Sequence, residues 1–166
     1  MNQYDVVILG AGPAGLMCGL QAAQRGRKVV ILDHGEEVGK KILISGGGHC
    51  NFTNRLVTGD NYFSHNPAFA KSALSRFGPQ NFLEMLHRHR IAYEERTHGR
   101  LFCSGPARQI VNMLVADCER AGVTIYTLSE IVSVVRQEDR FVVAANCGNF
   151  TSESLEGGLG DAEKNT

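Results

Sequence analysis

The apolar run Tyr4-Asp5-Val6-Val7-Ile8-Leu9 leads directly into Gly10-Ala11-Gly12-Pro13-Ala14-Gly15, and the residues that follow have helical periodicity. This strand, tight turn and helix is the arrangement that holds a dinucleotide pyrophosphate, and it restricts the chain to a Rossmann-like α/β fold. A second apolar strand, Lys28-Val29-Val30-Ile31-Leu32, ends at Asp33, 18 residues after Gly15, where the fingerprint expects an acid about 20 residues on. Gly10 permits the sharp exit from the strand, Gly12 lets the backbone approach phosphate oxygens, and Gly15 lets the helix pack close to the sheet. Pro13 suits the first helical turn because its missing N–H has no intrahelical partner there. Ala11 and Ala14 are counted with the turn as cofactor-binding positions. Asp33 can accept hydrogen bonds from both ribose hydroxyls, and its charge disfavours a 2′-phosphate.

The chain has 166 residues, 43% of them hydrophobic, a size that usually makes one domain. Lys plus Arg and Asp plus Glu both number 17, so no global field attracts nucleic acid or an anionic membrane. Five cysteines, odd in number, widely spaced and never in a C-x-x-C pair, support neither a disulfide framework nor a zinc ribbon. No signal-like N-terminal segment and no apolar stretch near the roughly 20 residues of a membrane span is present. The expectation is a soluble cytoplasmic protein that binds no metal and no membrane.

Residues 34 to 65, rich in Gly, Asn, Ser and His, are expected to form a long loop. Asn66 and Pro67 then predict a helix start, with Phe69, Ala73, Leu74 and Phe77 on one face until Gly78. A second helix follows Pro79, ending in the basic His87-Arg88-His89-Arg90. Residues 91 to 103 read as a hairpin, and a third helix starts around Ser104 to Pro106 and stops at Gly122. Val123 to Thr127, Ile131 to Val135 and Phe141 to Ala145 predict three strands, the last two joined by a charged turn. Residues 1 to 152 are thus expected to be the cofactor domain. Glu153 to Thr166, glycine-rich and polar, are expected to be a frayed or aberrant tail unable to form a buried strand.

At Gly39-Lys40-Lys41-Ile42-Leu43-Ile44-Ser45-Gly46-Gly47-Gly48-His49-Cys50-Asn51-Phe52-Thr53-Asn54 the chain resembles the N-terminal part of the YhiN/BaiN-type (HI0933-like) flavoproteins, whose pattern is a G-R-K lead, then S-G-G-G-R-C-N and T-N. The match runs on through Asn66-Pro67, Lys71 to Leu74, Leu101 to Cys103 and Gln109 to Val111. The resemblance implies an FAD-binding fold of the glutathione-reductase type and an oxidoreductase activity, with NAD(P)H as a candidate electron donor. Three consecutive glycines, Gly46, Gly47 and Gly48, let the backbone wrap a planar cofactor, and Ser45 and Asn51 supply hydrogen bonds. Lys40 and Lys41 are either phosphate contacts or an exposed basic pair. By the same resemblance, Ile131 falls where such flavoproteins hold the adenine through backbone groups.

Two departures from the pattern bear on function. His49 replaces an Arg, exchanging a fixed cation for a group whose charge follows pH. The family also continues into an apolar run and A-T-G-G-L before an inserted substrate domain and a return segment; here Gly157-Gly158-Leu159 reads as a remnant of that motif with the preceding strand deleted. A truncated gene product or fragment is therefore expected, its missing half supplied by another chain or not at all. Three functions stay open: an FAD-dependent oxidoreductase or its cofactor-binding part, a nicotinamide-dependent dehydrogenase, and an inactive nucleotide-binding remnant. No residue is assigned a catalytic role. The substrate is unidentified, and RNA remains open although zero net charge lends it no support.

Overall fold

The computed structural model describes residues 2–63, 65, 66 and 68–157. In chain order the elements are β1 (Asn2–Gln3), β2 (Val6–Leu9), α1 (Pro13–Ala23), β3 (Val29–Leu32), α2 (Lys40–Ile44), β4 (Asn51–Asn54), α3 (Phe69–Arg76) and α4 (Pro79–Arg88). There follow β5 (Tyr93–Arg96), β6 (Arg100–Cys103), α5 (Arg108–Arg120), β7 (Thr124–Tyr126), β8 (Ile131–Gln137), β9 (Arg140–Ala145), β10 (Gly148–Ser152) and β11 (Ser154–Gly157). They form two compact units. One comprises residues 1–41 and 114–166, the other residues 42–113.

The first unit contains two four-stranded sheets. One is wholly parallel, in the order β11-β2-β3-β7. The other, β1-β10-β9-β8, is an antiparallel meander with the short β1 added in parallel at its edge. Side chains alternate along β2 and β3, as the pleat requires, and both faces are covered. Val7, Val30 and Leu32 point one way and pack with Val143 and Phe150 of the meander, with Leu9 and Leu155 at the margin. Ile8 and Ile31 point the other way, so that a Cβ placed on Gly19 of α1 would lie 2.9 Å from Ile31 Cδ1 and 3.5 Å from Ile8 Cδ1. The C-terminal half of α5 lies on the same side as α1, its buried Cys118 thiol 3.3 Å from the Leu16 carbonyl. Near-continuous apolar runs in β2 and β3 are the sequence consequence of burial on both faces.

β11 departs from the expectation for the tail. Ser154 to Gly157 pair in parallel with Val6 to Leu9, so the first part of the tail expected to be frayed is instead an edge strand of the parallel sheet. Its composition concealed it, because an edge strand needs only one buried face and here only Leu155 of the four is withdrawn from solvent. The rest of the tail, 158–166, lies outside the described residues, as does Pro67. β10 is likewise a strand that the reading of residues 146 to 152 did not anticipate.

The second unit is built on the three-stranded antiparallel sheet β4-β6-β5. The expected hairpin is β5–β6. The expected long loop is interrupted by α2, by a 3-10 turn over Ser45–Gly48 and by β4. β4 carries no periodic signal of its own, and its strand conformation comes from pairing of Asn51, Thr53 and Asn54 with Phe102, Leu101 and Arg100. α4 covers one face of this sheet. Phe82 stacks on Phe52 at 5.4 Å between ring centroids, Phe52 meets Tyr93 edge-on at 6.1 Å, and His87 stacks on Tyr93 at 5.9 Å. α3 begins at Phe69 rather than Pro67, with the Asn66 side chain accepting the Ala68 N–H. α5 begins at Arg108, a turn later than the Ser104–Pro106 signal.

Candidate functional site: a dinucleotide cradle and a glycine-rich loop

The cradle lies in the first unit, where β2 passes into α1. Gly10 leaves the strand at φ +101° with its N–H donating to the Leu32 carbonyl at 2.7 Å. Gly15 cannot carry a side chain, because its Cβ would stand 1.9 Å from the Gly10 carbonyl oxygen. A Cβ on Gly12, by contrast, would meet nothing within 4 Å. The space in front of Gly12 is open, as backbone contact with a diphosphate requires. Pro13 occupies the first helical position, no side chain caps the helix, and no acid stands in its first turn. The positive end of α1, with no side chain capping its first turn, is therefore suited to an anion.

Asp33 closes the cradle. Its two carboxylate oxygens accept the N–H groups of Ala11 and, at 2.7 Å, Gly35. A carboxylate offers about four acceptor positions, so lone pairs remain for ribose hydroxyls beside these two bonds. The backbone of Asp33 is fixed as well, its N–H to Tyr126 O and its carbonyl to the Ser129 N–H, each at 2.8 Å. Leu128 N–H reaches Gly35 O at 3.0 Å. These bonds hold the segment just before Ile131 against the Asp33 turn, and Ile131 itself begins β8 half-buried beside the core. Gly39 N–H donates to Ala11 O at 2.9 Å, which brings the start of α2 to the dinucleotide turn. Lys40 and Lys41, its first two residues, are exposed there.

The structure thus brings Gly10 to Gly15, Asp33, Lys40, Lys41 and the approach to Ile131 together. Gly157 joins them, although it is not among the site residues expected from the sequence. It pairs with Leu9 at the mouth of the turn, at φ +144°, and a Cβ there would stand 2.7 Å from Leu9 O. The Gly-Gly pair at 157 and 158 was the available signal. Glu156, beside it, faces Cys18: burial first, and the Glu156 charge second, push that thiol's pKa up.

Ser45, Gly46, Gly47, Gly48 and Asn51 belong to the second unit. Gly46, Gly47 and Gly48 are all left-handed, at φ +57°, +68° and +88°. The turn is tied by Cys50 N–H to Ser45 O at 3.0 Å and by Ala107 N–H to Gly48 O at 2.8 Å. Ser45 Oγ donates to the Ile42 carbonyl at 2.8 Å, so its hydroxyl serves the turn itself. His49 is exposed at the end of the turn. Cys50 is buried and stands opposite Cys103, whose N–H reaches the Cys50 carbonyl at 3.4 Å. Burial raises the Cys50 pKa, the Ser45 hydroxyl opposes the rise, and Cys103 adds to it. A thiol so placed stays protonated at neutral pH. Among the described residues no group of His, Cys, Asp and Glu is arranged to hold a metal, and no helix is long and apolar enough to cross a membrane.

Over 155 residues the chain is 47% identical to the ribosomal RNA dihydrouridine synthase of Escherichia coli K12, covering 93% of this chain and 39% of that protein. It is 29% identical to the 3-dehydro-bile acid delta(4,6)-reductase of Clostridium scindens, covering 93% and 38%. The chain therefore spans about two fifths of the length of these relatives. In fold it is similar to the 3-ketosteroid-delta4-(5alpha)-dehydrogenase of Rhodococcus jostii RHA1, with a TM-score of 0.65 at 13% identity over 94% of this chain and 45% of that one. The architecture is the mixed α/β, Rossmann-like fold of FAD-binding domains. Residues 4–160 match the family model described as the HI0933-like protein Rossmann domain, and the chain belongs to that family.

Proposed function

We propose that this chain is the cofactor-holding part of a flavin-dependent oxidoreductase whose cofactor is FAD. The observation that carries the reading is the cradle: an uncapped helix N-terminus, open space at Gly12 and an acid anchored at the end of the second strand. In this reading the α1 amides and Gly12 bind the diphosphate, Asp33 takes the ribose hydroxyls, and backbone near Ile131 meets the adenine. Lys40 and Lys41 offset phosphate charge, and Ser45 to Gly48 and Asn51 are further proposed cofactor contacts. FAD, when bound, supplies two-electron transfer to or from a substrate. The protein's own contribution is position and electrostatics, and NAD(P)H is the proposed electron donor.

For the complete protein the proposed substrate is a uracil ring in RNA, reduced at its C5–C6 double bond. Support comes from two relatives, 47% and 44% identical, both named ribosomal RNA dihydrouridine synthase. A ribosomal substrate would place the protein in the cytoplasm. The second reading, a nucleotide-binding fragment with no turnover of its own, rests on the 39% coverage of the first relative. The remainder of the flavin site would then come from another segment or another chain.

Equilibrium titration of the folded chain with FAD, followed by identification of the released cofactor, tests the cofactor assignment. Saturable uptake of FAD supports it, and a folded chain that takes up none overturns it. Incubating the FAD-loaded chain with NADPH and ribosomal RNA, then measuring dihydrouridine in the RNA, separates the two functional readings. Product supports the enzyme, whereas FAD uptake without product supports the fragment.

A further inference from the structure

The formal neutrality of the chain conceals a division of charge. The unit of residues 42–113 holds eight Lys and Arg against four Asp and Glu, a net +4, together with five of the six histidines. The other unit holds nine against thirteen, a net −4. Zero net charge therefore does not argue against a polyanionic partner for the basic unit.

Within that unit the basic groups include an ordered arrangement. α4 covers one face of the β4-β6-β5 sheet. On the opposite face Arg96 and Arg100 stand directly across from each other in the β5–β6 register, and Asn54 pairs with Arg100 on the other side. Like charges directly opposed across strands repel one another. Here both guanidinium groups gather over one ring, Arg96 at 4.1 Å and Arg100 at 6.0 Å from the Phe102 centroid. Arg96 bonds Glu94 at 2.7 Å, whereas the Arg100 side chain bonds Thr97, through its carbonyl and hydroxyl oxygens. Phe102 is only 6% exposed, and its far edge packs on the glycine turn, where a Cβ on Gly46 would lie 2.9 Å from Phe102 Cε1. The arginine face and the glycine-rich turn thus share one aromatic support. The same unit exposes Phe63 and Phe69 at 94% and 79%, and aromatic surfaces among basic groups are what unpaired bases stack on.

We infer that the Arg96–Arg100 face of the three-stranded sheet binds the phosphodiester backbone of RNA beside the glycine-rich turn. The inference rests on the RNA-substrate reading above and gives it a location on this chain. Planar, always-charged guanidinium forks suit phosphate oxygens, and the stack on Phe102 holds them in place before the ligand arrives.

The test is fluorescence anisotropy of a labelled oligouridine with the 166-residue chain over a range of salt concentrations, for wild type, R96Q/R100Q, R96K/R100K and the control R25Q/R27Q in the acidic unit. Wild type is expected to bind with a linear log–log salt dependence. R96Q/R100Q should lose about tenfold or more in affinity, with the slope reduced by roughly 1.4, about 0.7 for each phosphate contact on a single strand. R96K/R100K should keep most of the slope but lose affinity, and R25Q/R27Q should behave as wild type. Thermal midpoints and FAD uptake identify any variant that has lost its fold, and the Lys pair then decides. RNA binding by R96Q/R100Q with unchanged affinity and slope would overturn the surface while leaving RNA as the substrate. Failure of the FAD-loaded wild type to bind RNA at low salt would overturn both, and so would binding to phosphatidylserine vesicles in its place.

Discussion

The two units solve different problems. The first buries apolar strands on both faces of a parallel sheet and leaves one helix end open. Its cradle depends on backbone geometry, with the Asp33 side chain tied into it. The second has a small three-stranded sheet with one face covered by α4, and it displays arginines and aromatic rings. A site made of backbone amides is specified by what must be absent, such as the Cβ of Gly15. A site made of side chains is specified by what is presented. Substitution should therefore damage the first unit through the fold and the second through binding.

The largest effect is expected at Gly15. Gly15→Val places a side chain where even a Cβ would be 1.9 Å from Gly10 O, so the turn must open. A loss of about 3 kcal/mol or more in urea denaturation, together with loss of FAD uptake, is the expected outcome. Wild-type stability in that variant would break the contrast.

Asp33→Ala comes next. It removes the acceptor of the Ala11 and Gly35 N–H groups, and an unsatisfied buried donor costs about 1–3 kcal/mol. FAD affinity, measured by titration, should fall at least tenfold, with a smaller drop in melting temperature. An unchanged affinity would remove Asp33 from the site.

Thiol chemistry sharpens the comparison at intermediate size. Burial, with the Asp117 charge behind it, pushes Cys118 up to about 11, while Cys147 is exposed. A raised pKa means less thiolate at any given pH. Mass-spectrometric mapping of iodoacetamide labelling at pH 8 should find Cys147 modified first and Cys118 last, and Cys118 should gain reactivity only as the pH approaches 11. Early labelling of Cys118 would mean that the α1–α5 layer opens readily.

The smallest effect belongs to Phe63→Ser. Phe63 is 94% exposed, so stability should stay within about 0.5 kcal/mol of wild type in the same urea experiment. A larger loss would show that the ring is part of the core of the second unit.

The sequence made the first unit legible wherever local chemistry and tertiary need coincide. Gly10 to Gly15, Asp33 and the runs Val6 to Leu9 and Val29 to Leu32 each carry their signal in a few adjacent residues. Legibility failed where a strand owes its conformation to its partner. Asn51 to Asn54 extend because β6 pairs with them, and Ser154 to Gly157 because β2 does. The division of charge was invisible for a different reason: the two units interleave along the chain, and whole-chain composition averages them. Arg96 and Arg100 are four residues apart in sequence, but only the hairpin register sets them face to face.

Titration of the purified, folded 166-residue chain with FAD, read by the visible flavin spectrum and repeated with Asp33→Ala, tests the central claim most directly. One FAD bound per chain, with affinity at least tenfold weaker in the variant, is the result predicted. A cooperatively folded wild-type chain that takes up no FAD, or binds it equally well without the Asp33 carboxylate, would contradict the account.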